Sequence, residues 1–176
     1  MLRSSVDGLA APDTGRLGEL CLRHADEAVR LAYLLTGDSA LAEDIVQDAF
    51  VRLAGRLVHL RDPGAFDAYL RRTVTNLSNS YFRRKRVERA YLARARGSTA
   101  TQEGRWADPS VEDRDVLLQA LGRLSRRQRI AIVLRFYEDL SEREVAEILN
   151  CRPGTVKSLV SRGLETLRNE IEGEGR

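Results

Sequence analysis

The chain of 176 residues carries a formal net charge of +3, and 31% of its residues are charged but only 6% are aromatic. This length suits one medium domain or two small ones, and the low aromatic content favours helical cores of Leu, Ala and Val over a sheet protein. No apolar run approaches membrane-spanning length and no signal-peptide core opens the chain, so we expect a cytoplasmic protein without membrane contact. Cys21 and Cys151 stand alone, which argues against a disulfide framework.

The N-terminal part of the chain predicts a flexible tail, residues 1–16, followed by helices. Apolar residues then recur at helical spacing up to Gly37, which should end the first helix. Asp38 or Ser39 should cap the second helix, which buries one apolar stripe. Its outer face is rich in carboxylates and is formed by Asp44, Gln47 and Asp48.

The third helix follows Asp62-Pro63, a pair that is typical of an N-cap with Pro at the first helical position. It interleaves aromatic, amide and arginine side chains and ends in a basic run. Such a mixture suits unstacked bases and backbone phosphates, although a core helix with a solvated basic end is the alternative. The side chains concerned include Tyr69, Arg72, Asn76, Asn79, Arg83 and Arg84.

Residues 97–110 lack apolar periodicity and are rich in Gly, Ser and Thr, so they predict a flexible linker. It should join one domain at 17–96 to a second at 111–172. In the second, Ser110-x-x-Asp113 and Ser125-x-x-Gln128 each predict a capped helix. The predicted fold class is therefore all-α: two small helical domains, the C-terminal one a four-helix, winged-helix-like helix-turn-helix domain.

The helix-turn-helix begins with a capping box at Ser141 and Glu144, and the run NCRPG after Leu149 breaks the helical pattern. The next helix has a narrow apolar face that should point inward, made by Val156, Val160, Leu164, Leu167 and Ile171. Its outer side is small, polar and basic, which suits a major groove, although an ordinary helical hairpin with a solvated face is the alternative. The predicted DNA contacts are Arg152, Thr155, Lys157, Ser158, Ser161 and Arg162.

Three stretches together extend the interpretation: AEDIVQDAFVRL, AYLRRTVTNLSNSYFRRKR, and LSRRQRIAIVLRFYEDLSEREVAEILNCRPGTVKSLVSRGLETLR. In this order the chain resembles the extracytoplasmic-function (ECF) sigma factors of the sigma-70 family, over roughly residues 17–171. The resemblance implies a bacterial initiation subunit that binds core RNA polymerase, recognises the −10 and −35 promoter elements and promotes DNA melting.

The resemblance also implies roles for particular residues. The face of Asp44, Gln47 and Asp48 would bind the clamp helices of the largest polymerase subunit. Asn76 would read a base of the −10 element, and the loop His59–Gly64, with Arg61, would hold a flipped base. The resemblance further implies the polymerase flap and duplex and melted promoter DNA as partners, and an anti-sigma factor as a candidate partner.

Two positions depart from the family pattern. Tyr69 stands where many members carry Trp, and Leu159 stands where a polar or basic side chain is common on the recognition helix. Leu159 should lie at the rim of the DNA face, where it would either touch a thymine methyl group or pack. The −35 sequence is therefore not transferable from relatives.

Enzymatic chemistry is not expected, because the sequence shows no Ser/His/Asp set, no phosphate-binding glycine loop and no metal-spaced cluster. We accordingly expect no catalytic residues, no metal and no cofactor, and we interpret His24 and His59 as structural or surface residues. The alternatives to an initiation factor are a conventional transcriptional regulator, which meets DNA only through its C-terminal domain, and a protein-interaction adaptor. A regulator has no need of the basic-aromatic third helix, which favours the initiation factor.

Overall fold

The computed structural model describes residues 14–57, 65–96 and 116–173, and within these ranges the chain forms helices and no strand. The helices are α1 (Thr14–Thr36), α2 (Ser39–Leu57), α3 (Ala65–Arg96), α4 (Val116–Arg123), α5 (Arg126–Ile132), α6 (Glu142–Leu149) and α7 (Pro153–Gly173). α5 continues as a π-helical turn, Val133–Tyr137. The predicted all-α class is confirmed. In the same ranges, every helix is too short or too polar to cross a membrane.

The N-terminal domain packs α1, α2 and α3 around one apolar core, and its helix ends follow the predicted chemistry. Gly37 adopts a φ of 75° and donates its N–H to the Tyr33 carbonyl at 2.7 Å, which ends α1. Of the two candidate N-caps for α2, Asp38 is the residue that caps the helix, because its Oδ1 accepts the Leu41 N–H at 3.0 Å. The core is formed by Leu31, Leu35, Ile45, Ala49, Leu53, Phe66, Leu70 and Val74, among others.

The C-terminal domain packs α4 and α5 against α7, with α6 alongside. The predicted capping box of α5 is present, because Ser125 accepts the Gln128 N–H and the Gln128 side chain accepts the Ser125 N–H. The helical segment reaches Tyr137, but its last turn widens, so that the Glu138 N–H bonds to the Val133 carbonyl at 3.1 Å. The predicted linker, the Ser110-x-x-Asp113 cap and Asp62-Pro63 lie outside the described residues.

The turn of the helix-turn-helix differs in detail from the expectation. The capping box of α6 is present as predicted, with the Glu144 N–H donated to Ser141 Oγ. The left-handed residue is Asn150, with a φ of 49°, a conformation that Asn tolerates better than most residues. Pro153 is already the first residue of α7, and Gly154 lies within its first turn. The break therefore lies within the predicted run, at its first residue Asn150, while Pro153 and Gly154 already belong to α7.

The inner face of α7 also requires a correction. Val156 is buried, and Val160 and Leu167 are half-buried, but Leu164 is 42% exposed. Gly163 takes the inward position, where an added Cβ would lie 2.5 Å from Ile132 Cδ1. A pattern built on apolar side chains overlooks a glycine, and this shifts the inferred face by one residue. The fifth residue of the predicted face, at position 171, lies outside the part whose side chains the structure describes.

The two domains touch each other. The π-helical turn lies against α1, and α6 lies against α3. Arg129 of α5 crosses the contact, since its Nη1 donates to the Leu35 carbonyl at the end of α1, 3.2 Å away. This contact brings residues 94 positions apart in the chain into a direct hydrogen bond.

Candidate nucleic-acid interface

The outer face of α2 presents the predicted carboxylates to solvent. Asp44, Gln47 and Asp48 are all exposed, opposite the buried Ile45 and Ala49. On the next turn of the same side, Val51 is 74% exposed. The two carboxylates lie one helical turn apart, so the face can pair with a basic helical surface, and the exposed Val adds an apolar contact.

A polar stripe runs along α3 on the side opposite its buried face. Tyr69, Arg72, Asn76, Asn79 and Arg83 are spaced by three or four residues, which places them on one side of the helix. The first three and Arg83 are exposed, while Asn79 is half-buried. The fourteen helical steps from Tyr69 to Arg83 extend about 21 Å, which equals about six steps of 3.4 Å, the spacing of nucleotides along one strand of duplex DNA. The stripe can thus follow a single strand over several bases.

The basic end of α3 adds aromatic edges to this stripe. The Tyr81 and Phe82 rings meet edge to face with centroids 5.5 Å apart, and Lys85 Nζ lies 5.5 Å from the Tyr81 centroid. Arg84 is exposed beside Arg83. The predicted base-holding loop, which includes positions 59 and 61, lies outside the described residues.

The recognition helix α7 exposes most of its predicted DNA contacts. Lys157, Ser158, Ser161 and Arg162 are exposed, and so is Arg152 just before the helix. Thr155 and Leu159 are half-buried at the edges of this surface. The Ser158 hydroxyl donates to the Gly154 carbonyl at 3.0 Å, which leaves its lone pairs to accept from a base or phosphate. The surface combines donors, acceptors and three cations, Arg152, Lys157 and Arg162, as a groove reader requires.

Charged residues that the sequence analysis did not single out meet between the domains. Arg71 of α3 donates to Asp67 within its own helix and, through Nε, to Glu138 of the C-terminal domain. Burial raises the pKa of Glu138, and the Arg71 guanidinium acts in the opposite direction. Arg129 is 4% exposed, and burial lowers its pKa to about 10, so it stays charged at neutral pH. The Arg71–Glu138 pair joins residues 67 positions apart in the chain, so periodicity arguments could not find it.

Within the described residues, His24, Glu27 and Asp67 lie close enough together to hold a metal ion, although the sequence predicted no metal site. His24 Nδ1 lies 3.9 Å from Asp67 Oδ1 and 4.0 Å from Glu27 Oε2. These residues are far apart in sequence or carry no metal spacing, so the sequence did not reveal them. Arg71 already supplies positive charge to Asp67, and Glu27 is exposed, so we assign no metal to the group.

Two family models match the chain. The model "Sigma-70 region 2" matches residues 20–88, which contain α2 and the α3 stripe. The model "Sigma-70, region 4" matches residues 114–167, which contain the helix-turn-helix, and DNA binding belongs to this region.

Curated relatives and solved structures agree with these matches. The RNA polymerase sigma-E factor of Streptomyces avermitilis is 35% identical over 150 residues, covering 84% of this chain and 80% of the relative. The ECF RNA polymerase sigma factor SigW of Bacillus subtilis is 28% identical and covers 97% of each chain. The fold matches the sigma factor RpoE of Bartonella quintana, solved in complex with the anti-sigma factor NepR, with a TM-score of 0.66 and 24% identity over 89% of this chain and 97% of the other. The chain therefore belongs to the ECF group of the sigma-70 family, and it is an RNA polymerase sigma factor that acts in promoter recognition and transcription initiation.

Proposed function

We propose that this sigma factor binds its partners through three separate surfaces. The acidic face of α2 binds the clamp helices of the polymerase largest subunit. The stripe of α3, with the preceding loop at positions 59–64, holds the −10 element as a melted strand. The outer face of α7 reads the −35 element as duplex. The observation that carries this division is the α3 stripe, because a duplex reader needs no aromatic and amide side chains on its first domain.

The α3 stripe supports strand opening through its composition. Tyr69 is 45% exposed, so its ring is available to stack on an unpaired base, and Asn76 is exposed two turns further along. An amide can both donate to and accept from the edge of one base, which a duplex would hide. Arg83 and Arg84 continue the stripe with two cations suited to phosphates.

The α2 face supports polymerase binding through charge and position. Asp44 and Asp48 are exposed on a helix whose other side is locked into the core by Ile45, Ala49 and Leu53. A rigid acidic face suits a basic helical partner, and it would repel DNA phosphates. This separates the polymerase-binding side from the DNA-binding side of the same domain.

For the C-terminal domain we propose −35 binding by α7 together with a contact to the polymerase flap. Arg162 is exposed and can bond to guanine through two parallel hydrogen bonds. Lys157 is exposed at the flank of the helix, where a phosphate is the nearer target. Leu117 and Phe136 are 55% and 59% exposed, and such apolar side chains support a protein contact by this domain.

The remaining assignments follow from this function. We propose domains at 17–96 and 111–172, a tail at 1–16, whose last three residues already belong to α1, and a linker at 97–110. A sigma factor of this kind acts in the cytoplasm, where polymerase and promoter DNA meet, and it supplies binding surfaces rather than catalytic residues, a metal or a cofactor. The Bartonella quintana relative, which is solved with an anti-sigma factor, supports an anti-sigma factor as a further partner.

Run-off transcription with purified core polymerase tests the proposal. A library of templates with randomised upstream sequence is transcribed by core alone and by core with this protein. We expect transcripts with defined start sites only in the second reaction, and the productive templates should share two sequence blocks about 25 base pairs apart. Initiation that depends on a single block, or identical products with core alone, would favour a conventional regulator.

A further inference from the structure

The inner face of α7 determines which of its residues point away from the protein. On that face Gly163 takes the place that the apolar pattern gave to Leu164. The inner face is thus formed by Val156, Val160, Gly163 and Leu167. At about 100° per residue, the exchange turns the centre of this face by about 25° about the helix axis, and the opposite direction then lies between Ser158 and Glu165, about 10° from each. The structure therefore moves Glu165 from the side of the outer face to its centre.

Glu165 places a carboxylate at this centre. Ser161 and Arg162 beside it are exposed and can donate hydrogen bonds, whereas a carboxylate only accepts them. Within the described residues Glu165 forms no ion pair, although Arg162 and Arg168 lie one turn away on either side. Because phosphates line the major groove, an unpaired carboxylate that faces it is repelled by every DNA sequence. Tight binding therefore requires a base that donates a hydrogen bond to this carboxylate.

Glu165 lies within reach of the bases whenever Ser158 does. The two residues are seven positions apart, about 10 Å along the helix axis, and the major groove is about 12 Å wide. Both side chains can therefore enter one groove from the same helix face. Glu165 and Arg162 are three positions apart, about 4.5 Å along the axis, which is close to the 3.4 Å step of one base pair. Glu165 should therefore meet the base pair next to the one that Arg162 contacts.

The base edges in the major groove select the partner of such a carboxylate. Cytosine presents the N4 amino group, which donates, and no acceptor. Adenine presents its N6 amino group beside the acceptor N7, which repels the second carboxylate oxygen. Guanine and thymine present acceptors and no donor in this groove. The Glu165 carboxylate therefore favours cytosine and opposes the other three bases.

We propose that Glu165 is a specificity-determining residue of α7, whose carboxylate accepts a hydrogen bond from the N4 amino group of a cytosine in the −35 element. That cytosine belongs to the base pair next to the one that Arg162 contacts. The inference rests on the proposed −35 binding by α7, and it adds one residue and one base to that function. Because the same carboxylate weakens binding to sequences without the cytosine, Glu165 contributes discrimination rather than overall affinity.

Transcription from a randomised −35 library, with core polymerase and full-length Glu165→Gln, tests the proposal. An amide both donates and accepts, so it can bond to N6 and N7 of adenine. The preference at one position should therefore shift from cytosine towards adenine by at least about fivefold. Glu165→Ala should abolish the preference at the same position. Both variants should keep the preference at the neighbouring position, which Arg162→Ala relaxes.

Two further variants decide the interpretation. Glu19→Gln removes the same charge from an exposed position on α1 and should leave the −35 profile unchanged. A shift towards adenine in Glu19→Gln as well would trace the effect to net charge and overturn the contact with cytosine. Arg162→Ala serves as the reference for the proposed −35 binding by α7, because its expected effect does not depend on Glu165.

The comparison with Arg162→Ala separates the two possible failures. If Arg162→Ala relaxes its own position while both Glu165 variants keep the wild-type profile, the contact with cytosine is overturned and the proposed −35 binding stands. The same holds if the Glu165 variants raise transcription from all −35 sequences alike, since the carboxylate then only repels phosphates. If neither Arg162→Ala nor the Glu165 variants change the profile, the placement of α7 on the −35 element is overturned together with the inference.

Discussion

A Cβ atom placed on Gly163 of α7 would lie 2.5 Å from Ile132 Cδ1 and 3.4 Å from both Ile132 Cγ1 and Gln128 Cβ. The side chains of Ile132 and Gln128 of α5 therefore lie directly against the backbone of α7 at Gly163. To admit this Cβ, the end of the buried Ile132 side chain would have to move within the core, whereas the two distances of 3.4 Å lie at the edge of ordinary van der Waals contact. The position and angle of α7, the helix proposed to read the −35 element, thus depend on a residue without a side chain.

We expect Gly163→Ala to lower the free energy of unfolding by about 1–2 kcal/mol, because overpacking outweighs the better helix propensity of Ala. Gly154→Ala is the matched control in the same helix, since an added Cβ there meets no atom within 4 Å. It should leave stability unchanged or raise it by up to about 1 kcal/mol. Urea unfolding followed by circular dichroism measures both. Equal effects of the two substitutions would contradict the close approach of α7 and α5.

The sequence predicted the features of this structure that depend on interactions between residues close together in the chain. Gly37, Asp38 and the capping boxes at Ser125 and Ser141 were predictable, because each acts within four residues of itself. The inward role of Gly163 was not, since a residue without a side chain contributes nothing to an apolar pattern. The Arg129–Leu35 hydrogen bond was not predictable either, because the sequence around each residue does not indicate a partner 94 positions away. The roles of the candidate site residues stay predictions.

The α2 face can be tested by charge reversal. Asp44→Arg with Asp48→Arg should reduce binding to core polymerase by at least about tenfold, because two attractions become repulsions. Both residues are exposed, so helicity and unfolding should stay the same. Glu19→Arg with Asp26→Arg makes the same charge change on the exposed side of α1 and serves as control. Undiminished co-purification of the α2 variant with core would remove this face from the interface.

Arg162 and Lys157 should differ in what they recognise. Arg162→Ala should relax base preference at one −35 position, at a cost of about 1–3 kcal/mol of discrimination, because a bidentate contact to a base is lost. Lys157→Ala should weaken all sequences alike, because a phosphate carries no base identity. Transcription from a randomised −35 library with each variant separates the two effects. Identical profiles would show that the assigned orientation of α7 is wrong.

The cap of α6 should make stability depend on pH. Hydrogen bonds from the Ser141 hydroxyl and N–H hold the pKa of Glu144 below its ordinary value. A carboxylate whose pKa is lower in the folded state adds stability above its unfolded pKa, near 4.3, and loses it as the pH falls through the folded pKa. Glu144→Gln should therefore lower Tm at pH 7 more than at pH 3. A difference in Tm that stays constant with pH would contradict this account of the cap.

The central claim is that α3 opens and holds the −10 strand, and permanganate reactivity of unpaired thymines near −10 tests it most directly. Free protein should bind promoter duplex weakly and with strong salt dependence, because extruding a base costs a few kcal/mol that a small domain alone hardly supplies. With core polymerase, Asn76→Ala should reduce thymine reactivity much more than it reduces binding of the closed, unmelted complex. Thymine reactivity equal to wild type in Asn76→Ala, or tight and specific duplex binding by free protein, would contradict the claim.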